Sequence, residues 1–309
     1  MSTGRALRAL GADRWPGAVG RVLLFVALYT VLLRFVLQPV AAVLPRGADT
    51  LTLSWFAAAM LLAGLAAGWL LLRWVDRRPM GALGFAWTPQ VPRELAAGMS
   101  AGVLPMALIA ALLALAGMLR YAPQTGTAGA WLASTLAALL TFTVAAAAEE
   151  AVYRGYPFQA LVRGIGAWPT LLLTSAFFAL AHAGNPAVTS AALLNIFLAG
   201  IVLGLAYLRT LSLWVATALH VGWNWSMASL LDLPVSGLTL VDTPLYEPSI
   251  AGPAWLSGRD FGPEGGVAGT LGLVVALLVL RCWPRLAPSA RQLAMGPLPL
   301  PTSEGSGNA

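Results

Sequence analysis

Eight stretches of the chain stay apolar for long enough to cross a hydrocarbon layer, and the polar positions between them fall mostly in short connections. A membrane helix needs roughly 17 to 25 such residues. The stretches lie at 22–44, 54–74, 95–118, 131–153, 168–184, 187–208, 211–231 and 267–283. The pattern predicts an all-α fold, a polytopic membrane bundle of about eight transmembrane helices. It divides the chain into an N-terminal tail at 1–21, a transmembrane domain at 22–283 and a disordered tail at 284–309. The first span follows Arg5, Arg8, Arg14 and Arg21 and so resembles a signal peptide, but seven further spans favour a retained helix.

Composition agrees: 59% of the 309 residues are hydrophobic and 10% charged, which leaves too little polar surface to solvate a globular protein of this size. All 18 basic residues are arginine, and they scatter through short loops rather than forming a patch. Nucleic-acid binding is therefore excluded, and the partner implied is the lipid bilayer. Eight spans put both termini on one side. That side carries 14 arginines in its tails, loops and span ends, against Arg46, Arg120 and Arg259 on the other and Arg34 within the first span. The imbalance predicts a multi-pass protein of the cell (inner or plasma) membrane with cytoplasmic termini.

The single cysteine, Cys282, rules out an internal disulfide and a thiolate metal site. Gly64 with Gly68, Gly98 with Gly102 and Gly200 with Gly204 have the spacing that lets helix backbones approach closely. No internal repeat is visible. Segment 232–266, rich in Pro and Gly, reads as an ordered cap or a mobile loop.

Ionisable groups inside membrane spans are costly and mark function. Glu149 and Glu150 end the fourth apolar run, and Arg154 follows Glu150 by one helical turn, so these two can pair and neutralise each other. Glu149 points about 100° away. Preceded by Ala145 to Ala148 and without a local cation, it reads as the proton acceptor and Glu150 as a strut. The only histidines, His182 and His220, also fall within spans. Phe178 lies one turn before His182 and can orient it. Asn224 lies one turn after His220, and the pair could donate to an oxyanion. A depth problem accompanies this grouping. If the fourth span starts at Trp131, Glu149 lies about 27 Å along it, whereas His182 is about 21 Å above the start of the fifth. The two meet only if the fourth helix begins later or runs on toward Val162, or if the fifth starts in the interface.

These residues resemble the CPBP intramembrane proteases, the family of the type II CAAX prenyl endopeptidases and of bacterial relatives linked to bacteriocin processing and immunity. Glu149-Glu150-Ala-Val-Tyr-Arg154 is similar to that family's E-E-x-x-x-R, Phe178 to His182 to its F-x-x-x-H, and His220 to Asn224 to its H-x-x-x-N. The resemblance covers 131–231, and the Gly-rich Phe261 to Gly266 is similar to bacterial members. It implies an intramembrane endopeptidase that opens toward the cytoplasm. Glu149 and His182 would activate a water, His220 and Asn224 would bind the oxyanion, and Arg154 would hold Glu150. The composition looks bacterial, so the substrate expected is a membrane-associated peptide or protein other than a prenylated one.

No cofactor follows firmly from the sequence. Glu149, His182 and His220 could supply the two-His, one-carboxylate set of a catalytic zinc, yet they come from three helices and lack the H-E-x-x-H arrangement. Two other functions remain open at this level: a non-catalytic membrane immunity or scaffold protein, and a proton-coupled transporter using the same groups as a relay.

Overall fold

The structure, a computed structural model, describes residues 15–41 and 50–295. Arg46 and the larger part of both expected tails lie outside the described residues. The helices are α1 (Trp15–Ala41), α2 (Thr50–Leu71), α3 (Val91–Leu115), α4 (Ala128–Tyr153), α5 (Tyr156–Ile165), α6 (Ala167–Ala181), α7 (Ser190–Thr210), α8 (Leu213–Trp225), the one-turn α9 (Ala254–Ser257), α10 (Val267–Cys282) and α11 (Ala290–Met295). A small antiparallel sheet, which the apolar pattern did not reveal, pairs β1 (Leu119–Pro123) with β2 (Tyr246–Ile250).

The chain is a membrane helix bundle, nearly all α. Gly17–Pro39, Thr52–Asp76, Val91–Leu115, Ala128–Ile165 and Ser190–Thr210 are long and apolar enough to cross a bilayer. The other three expected spans coincide with α6, α8 and α10, of 15, 13 and 16 residues. At 1.5 Å per residue such helices fall short of a hydrocarbon core about 30 Å thick. A π-helical turn, Ser226–Leu230, prolongs α8.

Local sequence starts the site-bearing helices. The hydroxyls of Thr127, Thr189 and Ser212 accept from the backbone N–H of Ala130, Ala192 and Trp214, capping α4, α7 and α8. Glycine then sets the spacing. A Cβ on Gly98 would sit 2.4 Å from the Val215 carbonyl oxygen, and one on Gly102 2.4 Å from that of Leu219, so α3 and α8 touch backbone to backbone. On α7, Gly200 comes up against Ser175 of α6, side chain and Cα, and Gly204 against the Leu171 side chain. Gly64 and Gly68 face only side chains, Val152 and Leu83. The largest buried apolar cluster fills the space among α3, α8 and α10, around Met106, Leu219, Trp223 and Leu273.

The depth problem resolves because α4 runs on through α5. The chain breaks helical conformation only at Arg154 and Gly155, where Pro157 opens the next helix. Tyr156 stacks on Phe25, and Gly164 lies against Ala18, so α5 descends antiparallel along α1 toward its N-terminus. Helix α6 starts at the bottom of α5 and climbs back for about 22 Å against about 15 Å of descent. Its C-terminal end thus overtops Tyr156 by about 7 Å, close to the level of Glu149, about 10 Å above Tyr156.

Segment 231–266 is an ordered cap on the face that also carries the sheet. Tyr121 and Tyr246 of the two strands donate to the carbonyls of Leu231 and Leu230, tying the sheet to the end of α8. The C-terminal tail is ordered further than expected. Arg209 donates to the carbonyls of Leu280, Trp283 and Leu286, and Gln292 of α11 donates to the buried Glu94 at 3.0 Å, fixing residues 284–295 to the bundle. At the other end, helix already begins at Trp15, inside the tail expected at 1–21.

Candidate active site

The last turns of α4 present two carboxylates to different surroundings. Glu150 is fully buried. Its Oε1 accepts from Arg154 Nη1 at 3.1 Å and faces His220 Nδ1 of α8 at 3.1 Å, while its Oε2 has no hydrogen-bond partner among the described residues. Arg154, 1% exposed, also donates to the Gly200 carbonyl at 3.3 Å, and its guanidinium lies 4.4 Å from the centre of the Phe178 ring. Arg154, a charge with no access to water, is thus held by a carboxylate, a carbonyl and an aromatic face, as burial of an ion requires. The expected Glu150–Arg154 pair exists.

Glu149 turns to the other side, partly exposed, with one carboxylate oxygen lacking a hydrogen-bond partner among the described residues. Its Oε2 lies 3.8 Å from His220 Nε2, so this imidazole stands between the two glutamates, one at each ring nitrogen. From the sequence Glu149 reads as having no local cation, and across the bundle α8 brings the His220 imidazole to it. Spacing along a single helix cannot reveal such a contact.

His182 caps the C-terminus of α6, and its Nδ1 lies 2.8 Å from the Phe178 carbonyl oxygen. A carbonyl only accepts, so that nitrogen carries a proton, and in the neutral ring Nε2 keeps its lone pair. The Phe178 ring packs 4.8 Å from His182 and 6.1 Å from His220, centre to centre. One buried aromatic therefore orients both histidines and Arg154. Its contact with His182 was legible from spacing, and the other two were not.

Glu149, His182, His220 and Asn224 all line one cavity of about 490 Å³, with Glu150 and Arg154 packed behind its wall. Tyr29 of α1 and Tyr153 of α4 line it too. Tyr153 sits inside the first motif, but nothing in the hydropathy of α1 marks Tyr29. The cavity reaches toward the cap, where Ser236 and Glu264 form part of its lining, and the described loops beside the chain termini contribute nothing. The cavity thus faces the end of the bundle opposite the described loops beside the termini.

Donor chemistry suits a zinc ion in part. Nδ1 of each histidine is already engaged, by a carbonyl or a carboxylate, and such outer partners orient metal-binding imidazoles. The spacing does not suit it. Among the described residues the group whose donor atoms lie within 4.8 Å of one another is Asp232, Asp242 and Glu247 in the cap, and the trio Glu149, His182 and His220 does not close to that size.

Residues 130–226 match the family described as Rce1-like, the type II CAAX prenyl endopeptidases. The matched segment contains all six candidate residues and stops before the cap, bearing out the resemblance read from the three motifs. No curated protein matches the chain.

Proposed function

From the match of residues 130–226 to the Rce1-like family, we propose that the protein is an intramembrane endopeptidase cleaving a membrane-associated peptide or protein with a glutamate-activated water. The observation that carries the reading is His220 held between Glu149 and Glu150 on the wall of a cavity that also takes in His182 and Asn224.

Glu149 has the features of the base: partial exposure to the cavity and an oxygen without a partner. It takes a proton from water while the oxygen attacks the scissile carbonyl, and later returns that proton to the leaving amine. His182 offers the bare Nε2 as a second acceptor that holds the water in line. The charge that develops on the carbonyl oxygen needs donors. His220 gives its Nδ1–H to Glu150, and a proton on Nε2 points into the cavity beside the Asn224 carboxamide, making two donors. Glu150 and Arg154 act as positioning residues that keep the imidazole oriented.

Cytoplasmic placement of both termini follows from the arginine distribution and belongs to this proposal. Comparative mass spectrometry of peptide termini in cells carrying wild type or Glu149→Gln tests the activity. Membrane-protein termini present with the wild type and absent with the variant are expected; an unchanged set, with equal expression, overturns the reading in favour of a non-catalytic binder. Uptake of a solute driven by a proton gradient in liposomes would point instead to a transporter.

A further inference from the structure

At the end of the bundle where α1 begins, arginines outnumber their acceptors. Asp76, the only acidic residue in α1, α5 or segment 71–93, closes the π-helical turn Leu72–Asp76 that continues α2. Its side chain is 6% exposed and accepts from Arg21 Nε of α1 at 3.2 Å and from the Tyr156 hydroxyl of α5 at 2.5 Å, with Arg163 Nη1 3.8 Å away. Arg21 is thereby held through Nε alone. Its Nη1 lies 3.3 Å from where a Cβ on Gly17 would stand, so the fork points back toward the first turn of α1, and among the described residues neither Nη donates to a protein acceptor. Arg73, Arg77 and Arg78 fall on the π-helical turn and just past it, Arg73 and Arg77 exposed, and among the described residues none of the three guanidiniums has an acceptor. Trp15 at the start of α1, Trp74 within the turn and Trp168 at the start of α6 are all more than half exposed. Exposed indoles at one end of a bundle mark the level of the lipid headgroups.

We propose that Arg21, Arg73, Arg77 and Arg78 form a binding site for the headgroup phosphate of an anionic phospholipid, whose acyl chains lie against the exposed Leu23, Leu24 and Val26 of α1. A guanidinium offers paired N–H donors that match phosphate oxygens. Asp76 supplies the orientation: buried where α1, the end of α2 and α5 meet, it fixes one N–H of Arg21 and leaves the rest of the fork for a ligand at the membrane surface. These four guanidiniums against one carboxylate leave a positive excess where anionic headgroups lie, and a zwitterionic lipid, whose own cation would meet that excess, is disfavoured. The arginine bias of this end accounts for where the charges fall, whereas the Asp76 anchor and the open fork of Arg21 account for a site.

Native mass spectrometry of the delipidated full-length protein, titrated with phosphatidylglycerol or with phosphatidylcholine of the same acyl chains, tests this. Phosphatidylglycerol is expected to bind about tenfold more tightly, through attraction to several arginines at once. Arg73→Gln and Arg77→Gln, which do not hold Asp76, should each weaken its binding about fivefold, the contribution of one basic side chain at an anionic surface, and leave phosphatidylcholine unaffected. Arg21→Gln should do the same; should it fail to fold because Asp76 loses a donor, the other two variants decide. Arg120→Gln on β1, at the opposite end of the bundle, is the control and should change neither affinity. Equal affinity for the two lipids, or equal losses in Arg77→Gln and Arg120→Gln, overturns the inference. Displacement of phosphatidylglycerol by inorganic phosphate at equal concentration also overturns it and assigns the arginines to the free anion. All of these outcomes are read from lipid binding alone, so they stand apart from whether the protein cleaves peptides.

Discussion

His220 Nδ1 lies 3.1 Å from the Glu150 oxygen that also holds Arg154, so a fully buried carboxylate, outside the cavity, sets the orientation of a ring that faces the cavity. Glu150→Gln keeps the volume and one acceptor but removes the charge that both partners share. Peptide cleavage is expected to fall about 100-fold, the effect of misplacing a catalytic group by about an ångström, with helix content by circular dichroism unchanged. The pH profile of cleavage should also change shape, since His220 loses its charged partner. A rate loss with the wild-type profile would mean that Glu150 only stabilises the fold.

Arg154 makes three unlike contacts at once, with Glu150, the Gly200 carbonyl and the Phe178 ring. Lysine can supply a charge but not the planar fork and stacking face. Arg154→Ala leaves Glu150 as a buried charge facing only His220, a change that costs about 3–5 kcal/mol when a buried pair is broken. Arg154→Lys should fall between the wild type and Arg154→Ala in thermal unfolding followed in detergent. The double variant Glu150→Ala with Arg154→Ala should lose less than the two single losses added, because contacting residues couple.

How far the sequence reached depends on whether a contact runs along one helix or between helices. Glu150 with Arg154, and Phe178 with His182, are one turn apart, and helical periodicity alone brings them together. His220 between the two glutamates, Tyr29 on the cavity wall and Glu264 under Trp223 are contacts over 70, about 120 and 41 positions, and hydropathy carries no information on which helix faces which. The short helices α6, α8 and α10 read as full spans because the runs over α6 and α10 sit at the lower length limit of a span, and the π-helical turn Ser226–Leu230 continues the run of α8. The two strands were missed because they hold few residues, Leu119–Pro123 wedged between two long helices and Tyr246–Ile250 within the Pro- and Gly-rich cap segment. The tail at 284–295 reads as polar and Pro-rich, but Arg209 and Glu94 within the bundle supply its partners.

Gly102 separates α3 from the helix that carries His220 and Asn224. A methyl group there would meet the Leu219 carbonyl oxygen and the Trp223 backbone nitrogen, both at 2.4 Å, and neither can move without displacing α8. Gly102→Ala should destabilise the protein by about 1–3 kcal/mol, as overpacking does, and lower cleavage further than the stability loss explains. Gly20→Ala, where nothing lies within 4 Å, is the matched control and should leave the melting temperature within a degree or two. Equal melting temperatures for the two variants would contradict the close approach of α3 and α8.

The cap carries its own pH dependence through Asp232, which sits outside the spans just past the end of α8 in a left-handed conformation, φ 55°. Burial pushes its carboxyl up to about 6 from 3.8, opposed by hydrogen bonds from Thr243 and aided by the nearby Asp242 and Glu247. The folded state therefore holds this proton more tightly than the unfolded chain does. Its stabilising contribution is fully present below pH 3.8 and is lost as pH rises through about 6. Cleavage of the 231–266 segment by an added protease in detergent should accelerate between about pH 4 and pH 7 beyond the protease's own pH response, measured on an unfolded reference peptide. Asp232→Asn keeps the acceptor for the Thr243 N–H, 3.2 Å away, tolerates the left-handed conformation and never ionises, so it should flatten that rise and protect the cap at pH 7. A rise of the same size in Asp232→Asn would assign the effect to Asp242 and Glu247 instead.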